Sequence, residues 1–176
     1  VVTVTSPACA DLVSGTATIT VVPDPTINTQ PTGTTICTGG THALTVSATG
    51  GTPSLNYQWQ SSTTGGAPWT NVGTNSASYT TAALAATTYY QVLVSATGTD
   101  CNTATSATAT VTVVPDPTIS IQPVGATICN GGTHSMTITA SGNVPPGSLN
   151  YQWQISNTGT GGWTNVGTNS DSYTTA

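Results

Sequence analysis

The chain has 176 residues, no lysine or arginine, and five carboxylates, all aspartate, for a net charge of -5 at pH 7. Without cations it lacks the counterion release that drives nucleic-acid binding and the basic cluster that holds a protein to anionic lipid. Lysine-to-asparagine isopeptide crosslinks are excluded for the same reason, and a composition 36% hydrophobic and 3% charged is not that of a disordered chain. Threonine, valine, alanine and isoleucine dominate, punctuated by glycine and proline, which predicts short strands and turns. No apolar run approaches the roughly 20 residues of a membrane span. Val1 is not an initiator, so export and anchoring signals are expected outside this stretch.

Taken in order, residues 1–22 read as the last strands of a repeat that begins earlier. They align with residues 93–114, with Cys9 on Cys101, Val21 on Val113 and Pro23 on Pro115. Residues 23–114 read as one complete repeat. It has a first strand around Ile27 bent at Gln30-Pro31, and a strand over 41–49 with His42, Leu44, Val46 and Ala48 on one face. A strand over 56–61 turns Tyr57 and Trp59 inward, and short strands follow at 69–72 and 76–80. A strand over 88–95 carries Tyr90, Val92 and Val94 on one face, and one over 106–114 closes the unit. Residues 115–176 read as a third repeat that stops before its last strands: Cys129 matches Cys37, His134 matches His42, and Trp153, Trp163 and Tyr173 match Trp59, Trp69 and Tyr79. Evenly spaced short strands predict an all-β chain of tandem antiparallel sandwiches. The joints are identical, VVPDPTI at 21–27 and 113–119. Pro23-Asp24-Pro25 and Pro115-Asp116-Pro117 stiffen the backbone and cannot continue a ladder, which predicts an elongated array.

Leu44-x-Val46, Trp59 and Tyr90-x-Val92 resemble the immunoglobulin fold, in which Cys, Trp and Tyr-x-Cys occupy these places. Val46 and Val92 stand where that fold has its inter-sheet cysteines, and Tyr90 resembles its tyrosine corner, with Tyr89 as the adjacent candidate. The fuller pattern, iC-x-G-G, YqWq, W-t-x-V, sYtt, tYY-x-V and a late cysteine, resembles the Ig-like repeats of secreted giant surface adhesins of Bacteroidetes-type bacteria. That resemblance implies a core built on Trp59, Tyr90 and Trp153, an extracellular setting on the cell surface or in a filament, and neighbouring repeats or identical subunits as end-to-end partners. Each repeat has one early and one late cysteine, so Cys37 and Cys101 are expected to form an intra-repeat disulfide, worth roughly 4 kcal/mol for so long a loop. Cys9 and Cys129 would then pair with a neighbouring repeat or chain. Two arrangements fit: one continuous polypeptide, or separate chains that complete each other, with residues 1–22 supplying the last strands to a neighbour's open sandwich.

Several side chains could carry chemistry. His42 and His134 recur at a strand start but have no second ligand nearby, so packing is the expected role. A Ser-His-Asp set drawn from His42, Asp100 and the many serines has no nucleophile turn, and no enzymatic activity is expected. Asp24 and Asp116 sit where calcium rigidifies some adhesin arrays, yet calcium takes six to eight oxygens and each joint offers one carboxylate; no cofactor is expected. Trp69, Tyr79, Trp163 and Tyr173, with Gln58, Gln60 and Asn71, could instead form a stacking platform for glycans. The chain has no N-x-Ser/Thr acceptor, and its threonine-rich faces could take O-linked sugars. The expected function is a non-catalytic shaft, a disulfide-stabilised rod of an extracellular adhesin or filament. A carbohydrate-binding module centred on Trp69 and Trp163 is the alternative.

Overall fold

Alternation of apolar and polar residues gives short strands throughout, and in the computed structural model these are described for every residue except 98–100 and 143–148, and for every side chain except those of Ser6 and residues 9–12. The first two strands, β1 (Thr3–Ser6) and β2 (Cys9–Val13), form an antiparallel hairpin. The next ten build one sandwich: β3 (Thr26–Thr29), β4 (Thr34–Cys37), β5 (Ala43–Thr45), β6 (Ser47–Thr49), β7 (Leu55–Ser62), β8 (Thr70–Val72), β9 (Ser78–Thr80), β10 (Thr88–Ala96), β11 (Ala104–Thr105) and β12 (Ala109–Val114). One face comprises the pairs β3–β6 and β5–β9. The other runs β4-β12-β10-β7-β8, with β11 also on β10. All these pairs are antiparallel except β12 with β4, which is parallel.

The two faces close on a single core. Leu44 and Val46 come from one side; Trp59, Tyr90, Val92, Val94, Ala109 and Val111 come from the other. Trp59 is fully buried and lies opposite Val92 in the β7–β10 register, so the two central strands meet at the middle of the core. Its indole Nε1–H donates to the Ser76 carbonyl at 2.9 Å, giving the buried polar tip a partner. Tyr79 stacks on Trp59 at a centroid distance of 6.1 Å and also touches Tyr90, at 5.9 Å. The architecture is an immunoglobulin-like β-sandwich, with β10 as the strand that most others depend on.

Residues 117–176 repeat the first part of this plan. β13 (Thr118–Ile121) pairs with β15 (Thr139–Ser141), β14 (Ser135–Thr137) with β18 (Ser172–Thr174), and β16 (Trp153–Ile155) with β17 (Thr164–Val166). These match β3–β6, β5–β9 and β7–β8. Trp153 keeps its counterpart's bond, donating to the Ser170 carbonyl at 3.0 Å, and Tyr173 stacks on it at 5.9 Å. Yet Trp153 is only half-buried, and Ile119 and Ile121 are 50% and 57% exposed.

Two sequence expectations change. The strand predicted over 41–49 divides at Val46, whose N–H donates to Ala77, because its halves pair with different partners, β9 and β3. More consequentially, the expected Cys37–Cys101 disulfide does not form, and the disulfide-stabilised rod is corrected accordingly: Cys37 is a free, exposed thiol, as is Cys129. The reason is β4, a strand with no strong sequence signal. It runs parallel to β12 and brings Cys37 opposite Val114, beyond the pairing of Val111 with Thr88 at the start of β10. Cys101 follows the far end of β10. The nine residues of β10 rise about 3.3 Å each, so the two cysteines are on the order of 25 Å apart, where a disulfide needs Cα atoms about 4.4–6.8 Å apart. The bridge expected for Cys9 falls on a side chain outside those described.

Two measurements check this account. Trp59→Ala should destabilise the sandwich by about 3–5 kcal/mol in denaturant unfolding, and Trp153→Ala by clearly less, since its indole is already partly solvated. Cys37→Ser should leave the unfolding midpoint unchanged within about 0.5 kcal/mol, with or without reductant.

Candidate functional site

The joints are the places where the repeated sequence and specific contacts coincide. Pro25 is buried, and the Pro23 carbonyl accepts the N–H of Gly51 at 2.9 Å. Gly50, at φ 80°, presses on the Asp24 carbonyl so closely that a Cβ there would collide with it, and Gly142, at φ 102°, does the same against Asp116. Any other residue would be strained in that conformation and would push the joint off the sheet. The Asp24 carboxylate takes two hydrogen bonds from one residue: Oδ1 accepts the Asn102 backbone N–H at 3.0 Å, and Oδ2 accepts the Asn102 side-chain amide at 2.8 Å. These bonds, the side-chain one first and then the backbone one, hold the Asp24 carboxyl below its ordinary pKa of 3.8. The carboxylate that could have been a calcium ligand is therefore engaged by a residue 78 positions away in sequence. At the other end of the unit, Thr38 donates its N–H, at 3.0 Å, and its hydroxyl, at 3.3 Å, to the Val114 carbonyl. Nothing in the sequence joins Asp24 to Asn102; only the fold brings the joint onto the segment just before β11.

The other candidate side chains are divided between packing and surface. Nε2 of His42 donates to the Thr32 carbonyl at 3.1 Å, and Nε2 of His134 repeats this with Val124 at 2.9 Å, so each ring pins the segment that precedes its strand. Among the described residues no group of three or more His, Cys, Asp or Glu could hold a metal ion. Tyr79 and Tyr173 stack on Trp59 and Trp153, while Trp69 is half-buried just before β8 and Trp163 is 53% exposed. The four aromatics thus split into two core-packed tyrosines and two tryptophans at the strand edge. Two of the amides expected to serve a sugar bond each other, Gln60 Nε2 donating to Asn71 Oδ1 at 2.9 Å, and Gln91, not among those expected, extends the row across a third strand by donating to Gln60 Oε1 at 2.8 Å. Gln58 Nε2 donates to the backbone carbonyls of Trp59 and Val72. Gln154 and Asn165 repeat the second of these pairs, at 3.0 Å.

One concavity stands out. In residues 117–176 an open, mainly apolar groove of about 630 Å³ lies among Ile119, Ile138, Ala140, Leu149, Trp153 and Trp163. Five of these six correspond to residues in or packed against the core of the complete sandwich: Ile27, Val46, Ala48, Leu55 and Trp59.

Among solved structures the chain is similar to the I-band fragment I67–I69 of titin, at 12% identity over 89% of this chain and 55% of that one, with a TM-score of 0.52. Sidekick-1 immunoglobulin domains 1–4 match at 15% identity over 69% of this chain and 32% of theirs, with a TM-score of 0.48. The N-terminal Ig1-2 module of the Drosophila receptor protein tyrosine phosphatase DLAR matches at 20% identity over 76% and 72%, with a TM-score of 0.38. The chain spans about a third of the Sidekick-1 fragment and about half of the titin fragment. At 12% identity the likeness to the titin fragment concerns the fold alone. No curated protein matches the chain in sequence. The family model of a domain of unknown function, DUF8696, matches residues 26–115, and with just over half of its length covered the chain belongs to that family.

Proposed function

We propose that the chain is a non-catalytic, structural segment of an extracellular array of Ig-like repeats, joined end to end at Pro-Asp-Pro joints and set on a bacterial surface or in a secreted filament. In this reading residues 23–114 are one full repeat, flanked by parts of two others. The observation that carries it is the joint itself. The same seven residues recur at 21–27 and 113–119; at the second joint Thr38 of the preceding unit holds Val114, and at the first Gly51 and Asn102 of the following unit hold Pro23 and Asp24. Between those anchors almost no backbone is left to act as a flexible linker. The surface setting is supported by the YqWq and tYY-x-V pattern shared with adhesin repeats, and by a composition free of cations.

The remaining polar side chains serve the module rather than a ligand. The amide ladder of Gln91, Gln60 and Asn71 satisfies donors on an outer face that has no lysine or arginine to solvate it. In the glycan-binding alternative those amides would have to release one another to meet a sugar.

Two outcomes test this function. Small-angle scattering should give an elongated profile, with a maximum dimension well beyond that of one sandwich; a compact profile would overturn the end-to-end reading. In the same samples, tryptophan fluorescence should not change on titration with a panel of neutral and acidic oligosaccharides, and a saturable change lost in Trp163→Ala would establish the glycan-binding module instead.

The clamp has its own pH signature. Because the Asp24 carboxyl is held below its ordinary value, the contact is complete above about pH 4 and is lost as the pH falls through the lowered value. The Asn102 amide proton resonance should therefore titrate with a midpoint below 3.8, and Asp24→Ala should abolish that titration while leaving the rest of the sandwich spectrum in place.

A further inference from the structure

Of the five aspartates, two are followed by proline, Asp24 and Asp116, and both stand in the joints. That dipeptide has a chemistry of its own. An aspartate carboxylate can attack its own main-chain carbonyl carbon, because the ring that forms is small and unstrained and the nucleophile is already beside its target. The leaving group is the proline nitrogen. As the nitrogen of a tertiary amide it is held less firmly in resonance than an ordinary peptide nitrogen and takes up a proton more readily. A peptide bond from aspartate to proline is therefore among the easiest to break in mild acid, with no enzyme present.

The fold sets one such bond just outside the sandwich. β3 begins at Thr26, which pairs with Thr49, and Pro25 is buried against Gly50 and Gly51. All the strands of the complete unit, β3 to β12, lie on the C-terminal side of the bond between Asp24 and Pro25. A break there severs the joint and leaves the sandwich whole. Asp24 itself is exposed, and its carboxylate is held by Asn102: Oδ1 accepts the backbone N–H at 3.0 Å, and Oδ2 accepts the side-chain amide at 2.8 Å. Both nucleophilic oxygens are thus occupied. A carboxylate with a donor on each oxygen is a poorer nucleophile and is fixed in direction. It must give up a charge-assisted hydrogen bond before it can turn on its own carbonyl.

We propose that the bond between Asp24 and Pro25 is a self-cleavage site guarded by Asn102. While the clamp is closed the joint stays intact; when it opens, the carboxylate is free to cut the chain. One Asp24 Oδ bonds to the Asp24 carbonyl carbon and closes a cyclic anhydride. The C–N bond to Pro25 breaks, its electron pair stays on nitrogen, and that nitrogen takes a proton from the solvent. Water then opens the anhydride. The products are a chain that ends in Asp24, with both its carboxyls free, and a chain that begins with Pro25. One water is consumed, and nothing is oxidised or reduced. As a point of release between units the site rests on the end-to-end reading; as chemistry at one bond it does not.

The test uses the whole chain, kept folded at about pH 4, where the clamp is still closed. Mass spectrometry follows the fragments 1–24 and 25–176. Wild type should cleave slowly when folded and at least about fivefold faster in denaturant, where no clamp exists. Asn102→Ala removes the bond to Oδ2 and should speed the folded reaction about fivefold, while matching wild type in denaturant. Asp24→Asn takes away the nucleophile and should leave this bond intact under both conditions. Emission from the buried Trp59 reports whether each variant is folded, and if Asn102→Ala is not, the wild-type comparison decides alone. Three results would each overturn the proposal: folded wild type cleaving as fast as the denatured chain, a folded Asn102→Ala variant no faster than wild type, or cleavage that persists in Asp24→Asn. None of them bears on the scattering profile of the intact chain, so the two readings fail separately.

Discussion

The sandwich depends on β10 being in place between β7 and β12. Its inward residues Tyr90, Val92 and Val94 meet Trp59, Leu44 and Val46, and its backbone carries three other strands. Where that strand is present, β7 is long, β4 forms, and Trp59 is dry. In residues 117–176, which include no segment equivalent to β10, the same sequence pattern gives a three-residue β16 and a half-buried Trp153. Residues that recur almost unchanged in the two units thus take different degrees of order, which shows tertiary pairing overriding local strand propensity. Burial of the phenol also pushes the Tyr90 pKa above its ordinary value, with Tyr79 beside it adding to the shift, another sign of how dry the complete core is.

A chain with no lysine or arginine must find its surface polarity elsewhere, and amides and hydroxyls supply it in ordered rows. The Gln91–Gln60–Asn71 ladder crosses three strands. Asn75 bonds both the Tyr57 N–H and the Asn56 side chain, and Asn169 repeats this with Tyr151 and Asn150. Ser106, buried, bridges the Val92 N–H and the Ala107 carbonyl. Each bond is worth roughly 1 kcal/mol net, so their value lies less in stability than in fixing register, because a slip would leave several donors unmet at once.

Much of this was legible in the sequence. Alternation over 41–49, 56–61 and 88–95 marked the core face, and the two copies of YQWQ placed Trp59 and Trp153 in equivalent strands. What misled was cysteine arithmetic. One early and one late cysteine per repeat suggested a pair, but β4 has no alternating apolar pattern to announce it, and its parallel pairing with β12 carries Cys37 to the pole opposite Cys101. Pairing across a sheet is set by which strands are neighbours, and spacing along the chain does not contain that. The Asp24–Asn102 clamp was hidden for the same reason: an aspartate between prolines looks like a turn residue until the fold sets a distant asparagine against it.

The placement of the anchors decides what kind of joint this is. Thr38, which holds the Val114 carbonyl, belongs to the unit before its joint; Gly51 and Asn102, which hold Pro23 and Asp24, belong to the unit after theirs. Val22 and Val114 are equivalent, as are Pro23 and Pro115, so in a regular array the two sets of anchors fall on adjacent residues of one joint. Successive prolines fix φ there and remove the donors that could pair sideways. The stiffness of such an array then comes from contacts at each sandwich pole rather than from a covalent bridge across its middle. In the proposed array Asp24 and Thr38 would therefore bear on the joint rather than on either sandwich, because neither residue belongs to the core that Trp59 and β10 close.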